Sequence, residues 1–400
     1  MFHWMYRMSR KSRTRLLPVL SVSLLIGACN ANNVQEGISG SLQGDQGVSG
    51  IPVESKVLDL RSPAALDEII PVLSDSRVVY VGEAHDVYGH HLNQLEIIKR
   101  LYAADPDMAI GMEFFQQPFQ AVLDDYIAGT LDEREMLARS EWYERWQYDY
   151  RLYRPILEFA RRNGIPLIAL NLPRELTERA SAVGIAGLDE KEKSMVPSEI
   201  DRSDLVYRER LRKVFSQHPH SKNQDFNRFE DVQLLWDEGM AEQVAQYLKV
   251  SPRKRMVVLA GSGHLMFGSG IPIRVHRRLP ERFSIVLPAD NIPIRPGVAD
   301  FVVYPAPAEL PKRGMMGVFL MPVEDGMQIS EMVSDGAAAT AGLKKKDVIV
   351  KLDGIPVRKM SDIKLALLDK VPGDRVKIGL QREQMVWGRK TIEVELALGE

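Results

Sequence analysis

The run VVYVGEAHDVYGHHLNQ, Val78 to Gln94, changes character at a single residue. Val78, Val79, Tyr80 and Val81 form a short β-branched and aromatic block that stops at Gly82. Glu83, His85, Asp86, His90 and His91 then arrive within nine positions. An unbroken apolar run of this length reads as a strand buried on both faces of a parallel sheet. Polar residues just past such a strand occupy the edge where open α/β sheets hold their ligands. A plain strand–loop–helix junction, with Asp86 capping the helix and the histidines exposed, is the competing reading.

Three more apolar blocks end in the same way. MAIGM (108–112) runs into Glu113, PLIAL (166–170) into Asn171, and MVVLA (256–260) into Gly261-Ser262-Gly263-His264. Gly82-x-x-His85 and Gly261-x-x-His264 are therefore one spacing used twice, far apart in the chain. Strands of one parallel sheet bring their ends to one edge, so His85, Glu113, Asn171 and His264 are expected to line a single pocket. Because a strand-end loop carries little core, His264→Ala is expected to remove ligand binding without unfolding the domain.

Between these blocks the period changes from strand to helix. Leu92, Leu95, Ile98 and Leu101 predict an amphipathic helix over 89–104, and further helices are expected over 116–128 and 132–139. Alternation of this kind argues for an α/β fold, a parallel-rich sheet flanked by helices. The densest aromatic stretch, 141–164, places Trp146, Tyr150 and Tyr153 on one helical face, as core or as the wall of a flat ligand's slot. Pro173 then marks a helix start just after Asn171, beside Arg174. Residues 188–223 read as a charged helical insertion that covers the crevice, with His218 and His220 in a loop. A long helix follows over 226–248.

The chain of 400 residues has length for two domains, and a net charge of −2 with 26% charged residues indicates no nucleic-acid partner. Arg7, Arg10, Lys11, Arg13 and Arg15 precede an apolar stretch, 16–26, too short for a free-standing bilayer span. It ends in Ile26-Gly27-Ala28-Cys29, which resembles a bacterial lipobox, and Cys29 is the sole cysteine. The resemblance implies cleavage before Cys29, acylation of its thiol and a lipid anchor in a cell envelope; Asn30 after it suggests the Gram-negative outer membrane. Plain secretion after Ala28 is the simpler alternative. The layout is then a signal peptide (1–29), a Gly/Ser/Asn-rich tether (30–56), an α/β domain (57–304), a proline-punctuated linker (305–313) and a small β-rich domain (314–400).

That last segment, with GAAATAGLKKKDVIVKLDGIPV at its centre, resembles a PDZ domain of the kind found in HtrA-type proteases. The resemblance puts Met316, Gly317, Val318 and Phe319 where the family's loop binds a peptide carboxylate, the peptide adding a strand. The α/β domain resembles the ChaN family of haem-binding lipoproteins in the Tiki/TraB-like superfamily. The matching pieces are GEAHDVYGHHLNQ, GMEFF, the W-x-x-x-W-x-x-x-Y stretch into YRPILEFAR, IALNLPREL, VQLLWDEGMAEQV and AGSGHLMFGSGIP. ChaN-like members imply haem or iron binding for uptake, with Tyr88, Tyr150 and Tyr153 or His85, His90, His91 and His264 as candidate axial ligands, and a cofacial homodimer as an option. Asn171 and Arg174 belong to the expected pocket. Tiki-like members imply instead a metal-dependent hydrolase. There His85, Glu113 and His264 would hold zinc or manganese while Glu83 or Glu113 activates a water. A third option is a non-catalytic envelope adaptor working through the PDZ domain.

Overall fold

A computed structural model of the chain describes residues 64–217, 225–290, 292–384 and 388–400. The leader, Cys29, the tether, residues 57–63 and the pair His218 and His220 lie outside them. Among the described residues no helix is long and apolar enough to cross a membrane.

Six strands form the first sheet: β1 (Val78–Glu83), β2 (Met108–Gln116), β3 (Leu167–Asn171), β4 (Arg255–Gly261), β5 (Phe283–Pro288) and β6 (Phe301–Val303). Their order is β3-β2-β4-β1-β5-β6, and every pairing is parallel. Around them run α1 (Leu66–Ser74), α2 (Tyr88–Ala104), α3 (Gln120–Ile127), α4 (Glu133–Arg139), α5 (Trp142–Arg145), α6 (Arg154–Arg162), α7 (Arg174–Val183), α8 (Glu190–Lys193), α9 (Leu205–Ser216), α10 (Phe226–Val250) and α11 (Ile271–Arg278).

The strands are apolar throughout because both faces are covered. Val79, Val81, Ile110, Met112, Val257 and Leu259 face one core, shared with α2, α3 and α6. Val78, Tyr80, Ala109, Met256, Val258 and Ala260 face the other, shared with α10 and α11. The chain leaves β1 for β2 in one direction and leaves β4 for β5 in the other, yet β1 and β4 are neighbours. Their carboxyl ends therefore flank the crevice at which such sheets take ligands. Gly239 lets α10 come close to the loop after β3: a Cβ there would sit 2.5 Å from Leu172 Cγ.

Two expectations need correction. The MAIGM strand does not end at Met112; β2 continues to Gln116, so Glu113 lies within it. The aromatic stretch is not one helix. It divides into α5, a 3₁₀ turn at Tyr150–Leu152, and α6. Glu141 (φ 53°) and Gln147 (φ 71°) adopt left-handed backbone that ends any helix. Pro155 has no N–H to bond back to residue 151, so α6 has to begin afresh.

The second sheet is antiparallel, in the order β12-β11-β9-β8-β7. Its strands are β7 (Val318–Val323), β8 (Gly326–Met332), β9 (Val348–Leu352), β10 (Ile355–Pro356), β11 (Arg375–Glu383) and β12 (Arg389–Ala397), with α12 (Ala337–Thr340) and α13 (Met360–Ala366) packed on it. Asp353 and Gly354 both have positive φ, as the tight hairpin from β9 to β10 requires. Ile329, Ile349, Leu352, Ile363, Ile378 and Leu380 make its separate core. Leu365 and Leu368, at the end of α13, pack instead with the core of the first domain, as does Leu310 of the linker.

Candidate functional site

Glu83 closes β1 and is buried; the following loop folds His85 back so that its Nδ1 pairs with Glu83 Oε1. The loop is pinned from α2. His90 Nδ1 accepts the Ala84 N–H at 2.9 Å, and its Nε2 pairs with Asp290 at 3.0 Å. His91 Nε2 lies 3.1 Å from Glu83 Oε2, and its Nδ1 bonds to Gln94, which donates to the Val81 carbonyl at 3.1 Å. Tyr153 donates to the His85 carbonyl at 3.2 Å and accepts the Trp146 indole N–H at 3.0 Å. The His85 ring is met edge-on by Trp146 at 4.8 Å, with Tyr148 at 5.0 Å and Phe114 at 6.3 Å.

Opposite this aromatic wall stands Glu113. Its Oε2 accepts the Gly261 N–H at 2.7 Å, and its Oε1 is 3.5 Å from His264 Nε2. Gly261 is the meeting point: a Cβ there would lie 3.3 Å from His85 Nε2 and 3.7 Å from Glu113 Oε2. His264 follows β4 in a 3₁₀ turn and is buried. Its Nδ1 bonds Asp237 Oδ1 at 2.5 Å, and Asp237 Oδ2 accepts the Tyr207 hydroxyl at 2.7 Å. Arg274 lies over the Tyr207 ring at 4.5 Å, and Arg210 donates to the Met266 carbonyl and Ser269 Oγ, both at 2.7 Å. Tyr207 and Arg210 of α9, in the charged insertion, thus reach the His264 side.

Burial and neighbours push the two imidazoles apart. Burial pulls His85 down to about 4, against the opposing pull of Glu113. Burial also pulls on His264, but Asp237 and Glu113 outweigh it and raise that ring above its usual value. Glu83 is pushed up to about 7 by burial, opposed by His91 and His90. Burial carries the Tyr148 phenol to about 12.

Of the residues named from sequence, Glu83, His85, His91, Glu113 and His264 come together, and Asn171 adjoins them by donating to the Glu113 carbonyl at 3.1 Å. Others lie apart. Tyr150 is buried in the core and donates to Glu133 at 2.9 Å. Arg174 braces α5 through the Glu144 carbonyl (2.9 Å) and pairs with Glu178. Tyr88 opens α2, half-buried against the core. Among the described residues no group of three His, Cys, Asp or Glu side chains is arranged to hold a metal, so the expected zinc or manganese set is not shown. The Nδ1 atoms of His85 and His264 are each held by a separate carboxylate, while the Nε2 of His264 faces Glu113. His264→Ala would also break the buried pair with Asp237, so a stability cost accompanies the expected loss of ligand binding.

Sequence reasoning missed Asp237, Tyr207 and Tyr148. Asp237 had a signal, being a carboxylate within the apolar stripe of α10, beside Trp236 and Met240. At the other end of the chain, Met316 is buried, Gly317 has φ 71°, and Val318 and Phe319 begin β7, the edge strand of its sheet. Phe319 is 59% exposed, leaving that edge accessible.

The fold and site define a parallel α/β ligand-binding domain followed by a PDZ domain. The chain belongs to the family described as haem-binding uptake, Tiki superfamily, ChaN, whose model matches residues 69–275. A PDZ domain model matches residues 314–398. A solved structure entitled "Cofacial heme binding to ChaN of Campylobacter jejuni" shares the fold, with a TM-score of 0.50 at 18% identity over 61% of this chain and 92% of that one. Protein RETICULATA-RELATED 5, chloroplastic, of Arabidopsis thaliana is 27% identical over 263 residues, 58% of this chain. The periplasmic pH-dependent serine endoprotease DegQ of Escherichia coli is 30% identical over 99 residues, 22% of this chain. The chain spans only 35% of the plant relative's length and 21% of DegQ.

Proposed function

We propose that this chain is a haem-binding lipoprotein of the Gram-negative cell envelope, anchored through Cys29 and serving iron uptake, with a PDZ domain that receives peptide C-termini. The observation that carries the haem reading is the environment of His85. Its side chain is 11% exposed, against 0% for His91, 1% for His90 and 5% for His264, so it is the most exposed of these four imidazoles. Glu83 occupies Nδ1, and among the described residues no hydrogen bond engages Nε2. A porphyrin needs a flat apolar wall beside such a donor, and Trp146, Tyr148 and Phe114 supply rings around it. Haem iron supplies an open coordination position for a nitrogen or phenolate donor. Here Glu83 fixes the orientation of the His85 ring, Trp146 and Tyr148 flank it, and Tyr148 is the half-buried tyrosine beside it.

One observation favours a second reading, hydrolysis by proton transfer. Glu113 stands between two imidazoles that each have a carboxylate behind them, and their pKa values are driven in opposite directions, as in general acid–base pairs. Haem titration of the full chain in detergent micelles separates the two. Saturable binding with a Soret shift, lost in His85→Ala and kept in Tyr150→Phe, is the expected result. No saturable shift, together with ester turnover lost in His264→Asn, would replace it with the hydrolytic reading.

A further inference from the structure

The PDZ helix and the His85 pocket hold the same short piece of chain. Helix α13 reaches α5 through Glu144: Ser361 Oγ donates to Glu144 Oε1 at 2.5 Å, and Lys359 Nζ is 2.7 Å from the same oxygen. Lys364 Nζ lies over the Tyr143 ring at 5.1 Å. Two residues beyond Glu144, Trp146 stands edge-on to His85 at 4.8 Å. Helix α5 is a single turn between left-handed Glu141 and Gln147. Left-handed backbone at non-glycine residues is costly and is kept only where surrounding contacts impose it. Contacts on this turn include Arg145 on Glu141 and Gln116, Arg174 on the Glu144 carbonyl, the Trp142 indole N–H on the Tyr148 carbonyl at 3.2 Å, and α13.

A second strut runs in parallel. Asp369, just past α13, accepts Arg134 Nη2 at 2.7 Å and Arg154 Nη1 at 2.6 Å. Arg154 also donates to Glu133, which accepts the Tyr150 hydroxyl. The PDZ side of α13 shares its core with β7, where Ile363 and Ala366 pack in one cluster with Val318 and Leu320. A peptide that adds a strand to the β7 edge would bear on the cluster that Val318 and Leu320 share with α13. Any displacement of α13 then acts on Glu144, and through one rigid turn on Trp146.

We propose that occupancy of the PDZ groove by a peptide C-terminus is coupled, through Glu144 and α5, to the Trp146–His85 wall of the α/β pocket. Peptide binding therefore changes the affinity of that pocket for its ligand, and the ligand changes the affinity for peptide by the same factor. The two-state element is α5 with its left-handed flanks, biased from both sides. The coupling uses the haem reading for one of its readouts only.

The test uses the full chain in detergent micelles, haem, and a decapeptide ending in three apolar residues with a free carboxylate, the amidated peptide being the control. Haem affinity is measured with and without saturating peptide, and amide hydrogen exchange over residues 142–148 is measured with peptide alone. The expected result is a shift in haem affinity of about fivefold or more, with changed exchange over 142–148. In Glu144→Ala both effects fall away while each separate affinity stays within about twofold of the parent. The proposal is overturned if the peptide does not bind, if both ligands bind independently, or if the coupling survives in Glu144→Ala. Should haem fail to bind, the haem reading falls, and exchange over 142–148 alone decides the coupling.

Discussion

The loops ending in His85 and His264 share one G-x-x-H spacing and leave adjacent strands, yet their imidazoles are driven in opposite directions. What differs is the layer behind each ring. Behind His85 stands Glu83, which burial pushes up to about 7 and which also faces His91, so it is only partly ionised near neutrality. Aromatic rings flank it, and burial dominates. Behind His264 stands Asp237. Its carboxyl is held low in spite of burial by His264, Arg274 and the Tyr207 hydroxyl. The spacing places each histidine at the sheet edge; residues from α2, α9 and α10 give each its charge.

The sharpest way to break the contrast is Asp237→Ala. It leaves a buried imidazole beside Glu113 without its partner, and removal of one member of a buried pair costs about 3–5 kcal/mol. Chemical denaturation should show that loss at pH 6. Because the His264 pKa is raised, the pair's stabilisation is fully present below its unfolded value of about 6.5 and is lost as pH rises through the folded value. The gap between parent and variant therefore narrows towards alkaline pH; a gap of constant size would mean that the pair is not charged. For His85 the sign reverses: stability is complete above about 6.5 and is lost as pH falls towards about 4.

A smaller change sharpens the other side. Gly261 has φ −56°, which any residue can adopt, so Gly261→Ala brings no backbone strain. The new Cβ would sit 3.0 Å from His85 Cε1, close enough to shift the ring by a few tenths of an ångström. Haem affinity should fall about tenfold, equivalent to ~1.4 kcal/mol, while stability falls by about 1 kcal/mol or less. An unchanged haem titration would remove His85 from the ligand site.

Much of this architecture was legible because it follows local rules. Apolar blocks ending at Gly82, Glu113, Asn171 and Gly261 marked the strands, and their polar followers marked the edge on which Glu83, His85, Glu113 and His264 meet. Asp237 and Tyr207 reach the pocket from helices far away in sequence: Asp237 stood out only as a carboxylate within an apolar stripe, and no local pattern ties either residue to His264. The break in the aromatic stretch was hidden for another reason: Glu141 and Gln147 take up left-handed backbone without being glycine or asparagine, under tertiary contacts alone. The joint between α5 and α13 depends on Glu144 meeting Ser361 across 217 positions, which no local pattern encodes.

The most direct measurement is a histidine-selective NMR pH titration of the full chain in micelles, with His85 and His264 assigned through His85→Gln and His264→Gln. His85 should stay neutral until the pH approaches about 4, and His264 should stay protonated above the ordinary imidazole range. Two rings titrating together near about 6.5 would contradict the division of the pocket into an uncharged ligand-facing imidazole and a charged, carboxylate-paired one.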